Sequence, residues 1–177
     1  MKEFLTRIKL VLNFSTELEI RKTEFVQKLR DSVDEGSTSF FMESFDIFSS
    51  SKNEYKGMVN DDGFKIKRKR KLFDVGSSMA IAKGAYYQNG NKLIIKTEVK
   101  GFHGMMIPFY IFFSLFYIAF FISFFTLGET GGYGSGLMII FLILHASFMM
   151  GLPYFIMRRS TNRLKHELER EFFYLTK

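Results

Sequence analysis

Few side chains in this sequence have the type and spacing to do chemistry, and they fall in two places. The first is a basic run: Lys65, Lys67, Arg68, Lys69, Arg70 and Lys71. Successive side chains of a strand alternate between faces. A strand here puts Lys65, Lys67, Lys69 and Lys71 on one face and Phe64, Ile66, Arg68, Arg70 and Leu72 on the other. Such a lysine face suits anionic lipid, each basic residue near an acidic leaflet gaining about 1 kcal/mol. Left in water, the same lysines would discourage edge pairing. Nucleic acid is the third anionic candidate. It is disfavoured because no aromatic side chains interleave the cations to stack on bases.

The second place is His145, the one strongly titratable side chain inside two long apolar runs. An ionisable group within a membrane segment is a candidate for proton or ion passage. The plainer alternative is a neutral imidazole hydrogen-bonded to Ser114, Tyr117 or Ser123, or to a neighbouring subunit. No carboxylate accompanies it, so a relay lacks a second member.

Other chemistry is thinly represented. The chain has no cysteine, which removes disulfides, thiolate zinc sites and cysteine nucleophiles. His103 and His166 have no second ligand at metal-binding spacing. Asn60-Asp61-Asp62-Gly63 is too short for a calcium loop, and a turn explains it. Gly128–Gly136 lacks the preceding strand and the Lys-Ser/Thr pair of a phosphate loop. No nucleophile motif is present. The expectation is a protein that is not an enzyme and carries neither cofactor nor metal.

The elements that hold these residues are dominated by the two apolar runs, Pro108–Leu127 and Leu137–Met157, which contain no Asp, Glu, Lys or Arg. About 20 helical residues cross a hydrocarbon core roughly 30 Å thick. The runs therefore predict a transmembrane helical hairpin over 105–157. Eight phenylalanines between Phe109 and Phe125 are membrane material rather than a cofactor box. Ala119 and Ser123, like Ser147 and Gly151, recur at four-residue spacing and predict close helix packing, within the hairpin or between copies. Pro153 predicts a kink or a loosened turn in the second span.

Lys92, Lys96 and Lys100 precede the first span, and Arg158, Arg159, Arg163 and Lys165 follow the second, whereas the connector's one charge is Glu129. Positive charge stays inside. Both termini are expected in the cytoplasm of a cell with an inner membrane. The first apolar stretch, Ile8–Phe14, is short and carries Lys9, so no cleaved signal is expected.

Residues 1–101 predict a cytoplasmic α+β domain able to fold alone, with an N-terminal antiparallel sheet and one packed helix. A strand is expected over Leu5–Phe14. Thr16 and Glu19 then offer a capping box for a helix running to about Asp34, with a stripe of Leu18, Phe25, Val26, Leu29 and Val33. A strand is expected near 40–47. Two hairpins follow, Tyr55–Val59 with Phe64–Leu72, and Met79–Tyr87 with Leu93–Val99, the second turning at Asn89-Gly90. Residues 158–177 predict a C-terminal cytoplasmic helix with a stripe of Leu164, Leu168, Phe172 and Leu175.

At the hairpins, Tyr55, Gly57 and Val59, then Phe64, Ile66 and Arg68, then Gly84, the apolar hairpin and the charged helix together resemble a widespread family of small bacterial two-span proteins. That resemblance implies a cytoplasmic α+β domain ahead of the spans and brings no known activity. The expected function is an interaction or regulatory module on the cytoplasmic face of the inner membrane. The alternatives are a small oligomeric pore or transport component and a domain that responds to anionic lipid. The expected partners are membrane lipids, a larger membrane protein complex, or a second copy of the chain.

Overall fold

The structure is a computed structural model that describes residues 1–38, 51, 53–69, 79–127 and 133–177. In chain order the elements are α1 (Lys2–Arg7), β1 (Val11–Leu18), α2 (Lys22–Asp31), β2 (Val33–Glu35), β3 (Tyr55–Val59), β4 (Gly63–Arg68), β5 (Ile81–Asn89) and β6 (Lys92–Lys100). Two long helices follow, α3 (Met106–Leu127) and α4 (Tyr133–Tyr174). The fold is α+β. The chain divides into two compact units, one of Met1–Phe102 with Ile156–Lys177 and one of His103–Phe155.

In the first unit six strands form one sheet in the order β1-β6-β5-β4-β3-β2. Neighbours are antiparallel except β2 and β3, which are parallel. The sheet is therefore mixed where a purely antiparallel one was expected. The expected strand near 40–47 lies outside the described residues. Both expected hairpins form, with Val59 opposite Phe64 and Asn89 opposite Lys92. The second turns through Gly90, whose φ of 57° is free for glycine and strained for other residues.

The N-terminal expectation shifts by about one element. Lys2–Arg7 is helical, with Glu3 in its first turn and Arg7 in its last, as the helix dipole favours. Lys9, at φ 60°, then breaks the chain direction. The alternation of Leu12, Phe14, Thr16 and Leu18 carries the strand through the expected capping box, because each of these residues pairs with β6. Helix α2 consequently starts at Lys22 and buries Phe25, Val26 and Leu29. Leu18 and Val33 lie on strands instead of on its stripe.

The core holds a finding about the chain's end. Leu164, Leu168 and Phe172 are fully buried in the same cluster as Phe25, Leu29, Phe64, Ile66 and Ile95. Phe172 packs its ring against Phe25 at 5.5 Å and Phe64 at 5.7 Å, while Tyr86 meets Phe25 and Phe64, each at 5.8 Å. Edge-to-face aromatic packing at these distances adds to burial. The C-terminal helix, expected as a separate segment, is thus the second helix on this sheet face. Ser160 Oγ accepts a hydrogen bond from the Ala80 amide at 2.9 Å, and Lys28 Nζ donates to the Leu175 carbonyl at 3.1 Å. Gly84 is required beneath this cluster: a Cβ there would sit 2.2 Å from the Phe64 ring.

The second unit contains two helices long and apolar enough to cross a membrane. Large apolar side chains face outward around both, among them Phe112, Leu115 and Ile118 on α3 and Phe141, Leu144 and Phe148 on α4. A helix apolar on all sides suits lipid surroundings. Pro153 lies inside continuous helix. Tyr110 donates to the Met150 carbonyl at 3.3 Å.

Candidate functional site

The antiparallel register decides which basic residues meet. On the sheet face opposite the helices, Lys65 of β4 stands directly across from Lys83 of β5, and Lys83 stands across from Glu98 of β6. Lys96, two residues before Glu98 on the same face, holds its ammonium 5.1 Å above the Tyr87 ring. Lys65, Lys83 and Lys96 are exposed. Between them lies an open depression of about 690 Å³ lined by Asn13, Ser15, Lys83, Ala85, Lys96 and Glu98. A second, of about 470 Å³, adjoins it at Lys83 and Gly84 and reaches Lys65 and Met58. Small side chains at Ser15, Gly63 and Ala85 leave this space open, and the lysines rim it.

Electrostatically the face is unbalanced. Glu98 is engaged by Lys2. Lys65 and Lys83 make no ion pair or hydrogen bond among the described residues. Like charges directly opposite across two strands repel and destabilise the pair.

The four-lysine face expected from the basic run does not form as such. Lys65 is exposed, Lys67 is fully buried, Lys69 is buried beside Asp34, and Lys71 lies outside the described residues. Strand parity keeps Lys67 on the face of Lys65, between Lys56 on β3 and Ile81 on β5, but burial withdraws it and Lys69 from solvent. Strand β4 is internal, so its lysines do not guard a sheet edge. Sequence reasoning missed Lys83 as a site residue and noted Lys96 only as a charge near the membrane. Their signal was available in the strand parity of the second hairpin.

Asp34 is the site's best-held carboxylate. Partial burial pushes its pKa up. Hydrogen bonds from Lys69, Ser51 and Asn53, and the Lys69 charge, outweigh burial and hold it below the ordinary carboxylate value. Ser51 Oγ donates at 2.8 Å and Asn53 Nδ2 at 2.9 Å. A second ion cluster ties the sheet to the C-terminal helix: Arg68 Nη1 and Arg163 Nε both donate to Glu167 Oε1, at 2.8 and 2.9 Å. Burial, with Glu167 and Glu171 nearby, pushes the Tyr55 hydroxyl pKa far up, and burial does the same to Tyr86. These groups brace the domain.

His145 lies with Nδ1 2.9 Å from the Tyr117 hydroxyl and its ring stacked on Phe141 at 5.9 Å. Ala119, Ser123 and Ser147 are exposed within their unit, and a Cβ added at Gly151 would meet only the Phe155 ring, at 3.8 Å. Tyr110 and Tyr117 make hydrogen bonds between the two helices of this unit. Among the described residues no three His, Asp or Glu side chains converge as a metal site.

Comparison with protein-family models, with curated proteins and with solved structures gives no match.

Proposed function

We propose that this chain is a membrane-anchored, non-enzymatic interaction or regulatory module. The hairpin holds the α+β domain at the cytoplasmic face of an inner membrane, and the outer sheet face receives an acidic segment of a partner protein. The observation that carries this reading is the Lys65–Lys83 pair, two exposed cations directly opposite each other, neither in an ion pair among the described residues. Such a pair lowers the stability of the free domain and is relieved when carboxylates bind between the lysines. The lysines rim an open depression, and the carboxylates of an extended segment can reach between them.

Zero-length carbodiimide cross-linking in intact membranes tests this directly. The expected products join Lys65, Lys83 or Lys96 to Asp or Glu of another protein. Cross-links from these lysines confined to this chain would overturn the reading.

Anionic lipid remains the second reading, because exposed lysines also gain energy near acidic headgroups. Full-length protein in nanodiscs would then protect Lys65 and Lys83 from acetylation when phosphatidylserine is added, and the interaction reading expects no such protection. A pore is disfavoured because His145, hydrogen-bonded through Nδ1 to Tyr117, has no carboxylate in either span to complete a relay. Proton flux in wild-type vesicles that vanishes in His145→Leu would reverse that judgement.

A further inference from the structure

Strand β1 ends the sheet on one side, and among the described residues no strand pairs with its far edge. The register with β6 runs unbroken from Val11–Lys100 to Leu18–Leu93, and the Gly101 amide donates to the Leu10 carbonyl at 2.9 Å. Hydrogen-bonded pairs alternate in an antiparallel ladder. Leu12, Phe14, Thr16 and Leu18 therefore point their backbone groups at β6, as the Leu10 carbonyl does, and Val11, Asn13, Ser15 and Glu17 point theirs at the open edge. None of these four has a hydrogen-bond partner on that side among the described residues. Folded proteins protect edges by keeping them short or by placing lysine, proline or a bulge there. The opposite edge, β2, is three residues long. Strand β1 is eight residues long with no bulge, lysine or proline, and Glu17 is its only charge. On the helix side Leu12, Phe14 and Thr16 are half-exposed because the sheet stops there.

We propose that this edge pairs with the same edge of a second copy of the chain. The two β1 strands lie antiparallel about a two-fold axis at Ser15, which joins two sheets into one of twelve strands. Residues opposite each other must share a face, so the candidate registers centre on Phe14 or Ser15. Centring on Ser15 pairs Leu12 with the partner copy's Leu18 and Phe14 with its Thr16 on the helix side, and Asn13 with its Glu17 on the other. No like charges oppose, and the half-exposed apolar residues gain neighbours. Either register sets a glutamate against Val11, Glu19 when centred on Ser15 and Glu17 when centred on Phe14, and centring on Phe14 would oppose Leu12 to Thr16 in place of Leu18. An isologous contact of this kind closes at two copies. It also lays two lysine-rimmed faces side by side, although the pairing does not depend on what those faces bind.

The absence of native cysteine makes the test clean. Full-length Ser15→Cys in detergent micelles, oxidised or treated with a short bifunctional thiol reagent, should form a covalent dimer in high yield. Met58→Cys, exposed on β3, should give at least tenfold less. Asn13→Pro removes only an outward amide, because the Asn13 backbone faces away from β6. Added to Ser15→Cys, it should reduce the dimer at least tenfold while the domain's melting temperature stays near that of Ser15→Cys alone. Ser15→Lys sets two ammonium groups opposite each other on an exposed face, and light scattering should return a monomer. Three results would overturn the proposal: Ser15→Cys cross-linking no better than Met58→Cys, a dimer insensitive to Asn13→Pro, or a dimer that survives Ser15→Lys. The last two would put the contact elsewhere.

Discussion

At the scale of single residues, two positions carry sharp consequences. Gly84 sits against Phe64, so Gly84→Ala forces the ring out of the aromatic cluster shared with Phe172 and Tyr86. Overpacking of this kind costs about 1–3 kcal/mol, and the midpoint of chemical unfolding should fall accordingly. An unchanged midpoint would mean that the cluster is looser than its geometry indicates. Asp34 gives a pH signature. Its folded pKa lies below the ordinary value near 3.8, so its contribution to stability is fully present above that value and is lost as pH falls through the folded pKa. Asp34→Asn should lower stability at pH 7 and converge with the wild type in acid. Parallel pH curves for the two proteins would refute the Lys69 pairing. Neither role was legible beforehand. Gly84 reads as an ordinary strand glycine until the register sets Phe64 against it, and Asp34 reads as the tail of a helix.

At the scale of elements, sequence periodicity named most of them and misplaced one boundary. The hairpins are written in local turn chemistry, and the apolar spans in composition, so both were visible. The Thr16–Glu19 capping signal lost to pairing between β1 and β6, a contact between segments about 80 residues apart that no local pattern reports. The parallel placement of β2 was hidden for the same reason. The stripe of Leu164, Leu168 and Phe172 was visible, but not its destination. Each of these buried side chains contributes roughly 1.5–3 kcal/mol, comparable in sum to the net stability of a small domain. Residues 1–101 alone should therefore lack cooperative unfolding, in place of the self-sufficient domain expected from sequence. Adding residues 156–177 as a separate peptide should restore a melting transition. A sharp transition for 1–101 alone would contradict the shared core.

At the scale of the whole molecule, a sequence with mean hydropathy near zero divides into a charged α+β unit and an apolar helical hairpin. The proposed role needs both: the hairpin confines the domain to a surface, and confinement raises the effective concentration of whatever the domain meets there. The expected lysine face was legible as a basic run, but burial shortened it and strand pairing extended it onto a second hairpin. Lys67 and Lys69 became internal, and Lys83 and Lys96, from another hairpin, joined Lys65. The most direct measurement is native mass spectrometry of complexes released by gentle detergent from cells carrying either the wild type or Lys65→Glu/Lys83→Glu. The account predicts a partner-bound species for the wild type and its loss in the charge-reversed protein, with the melting temperature of the domain unchanged or raised. The same bound species in both proteins, or none in either, would contradict the account.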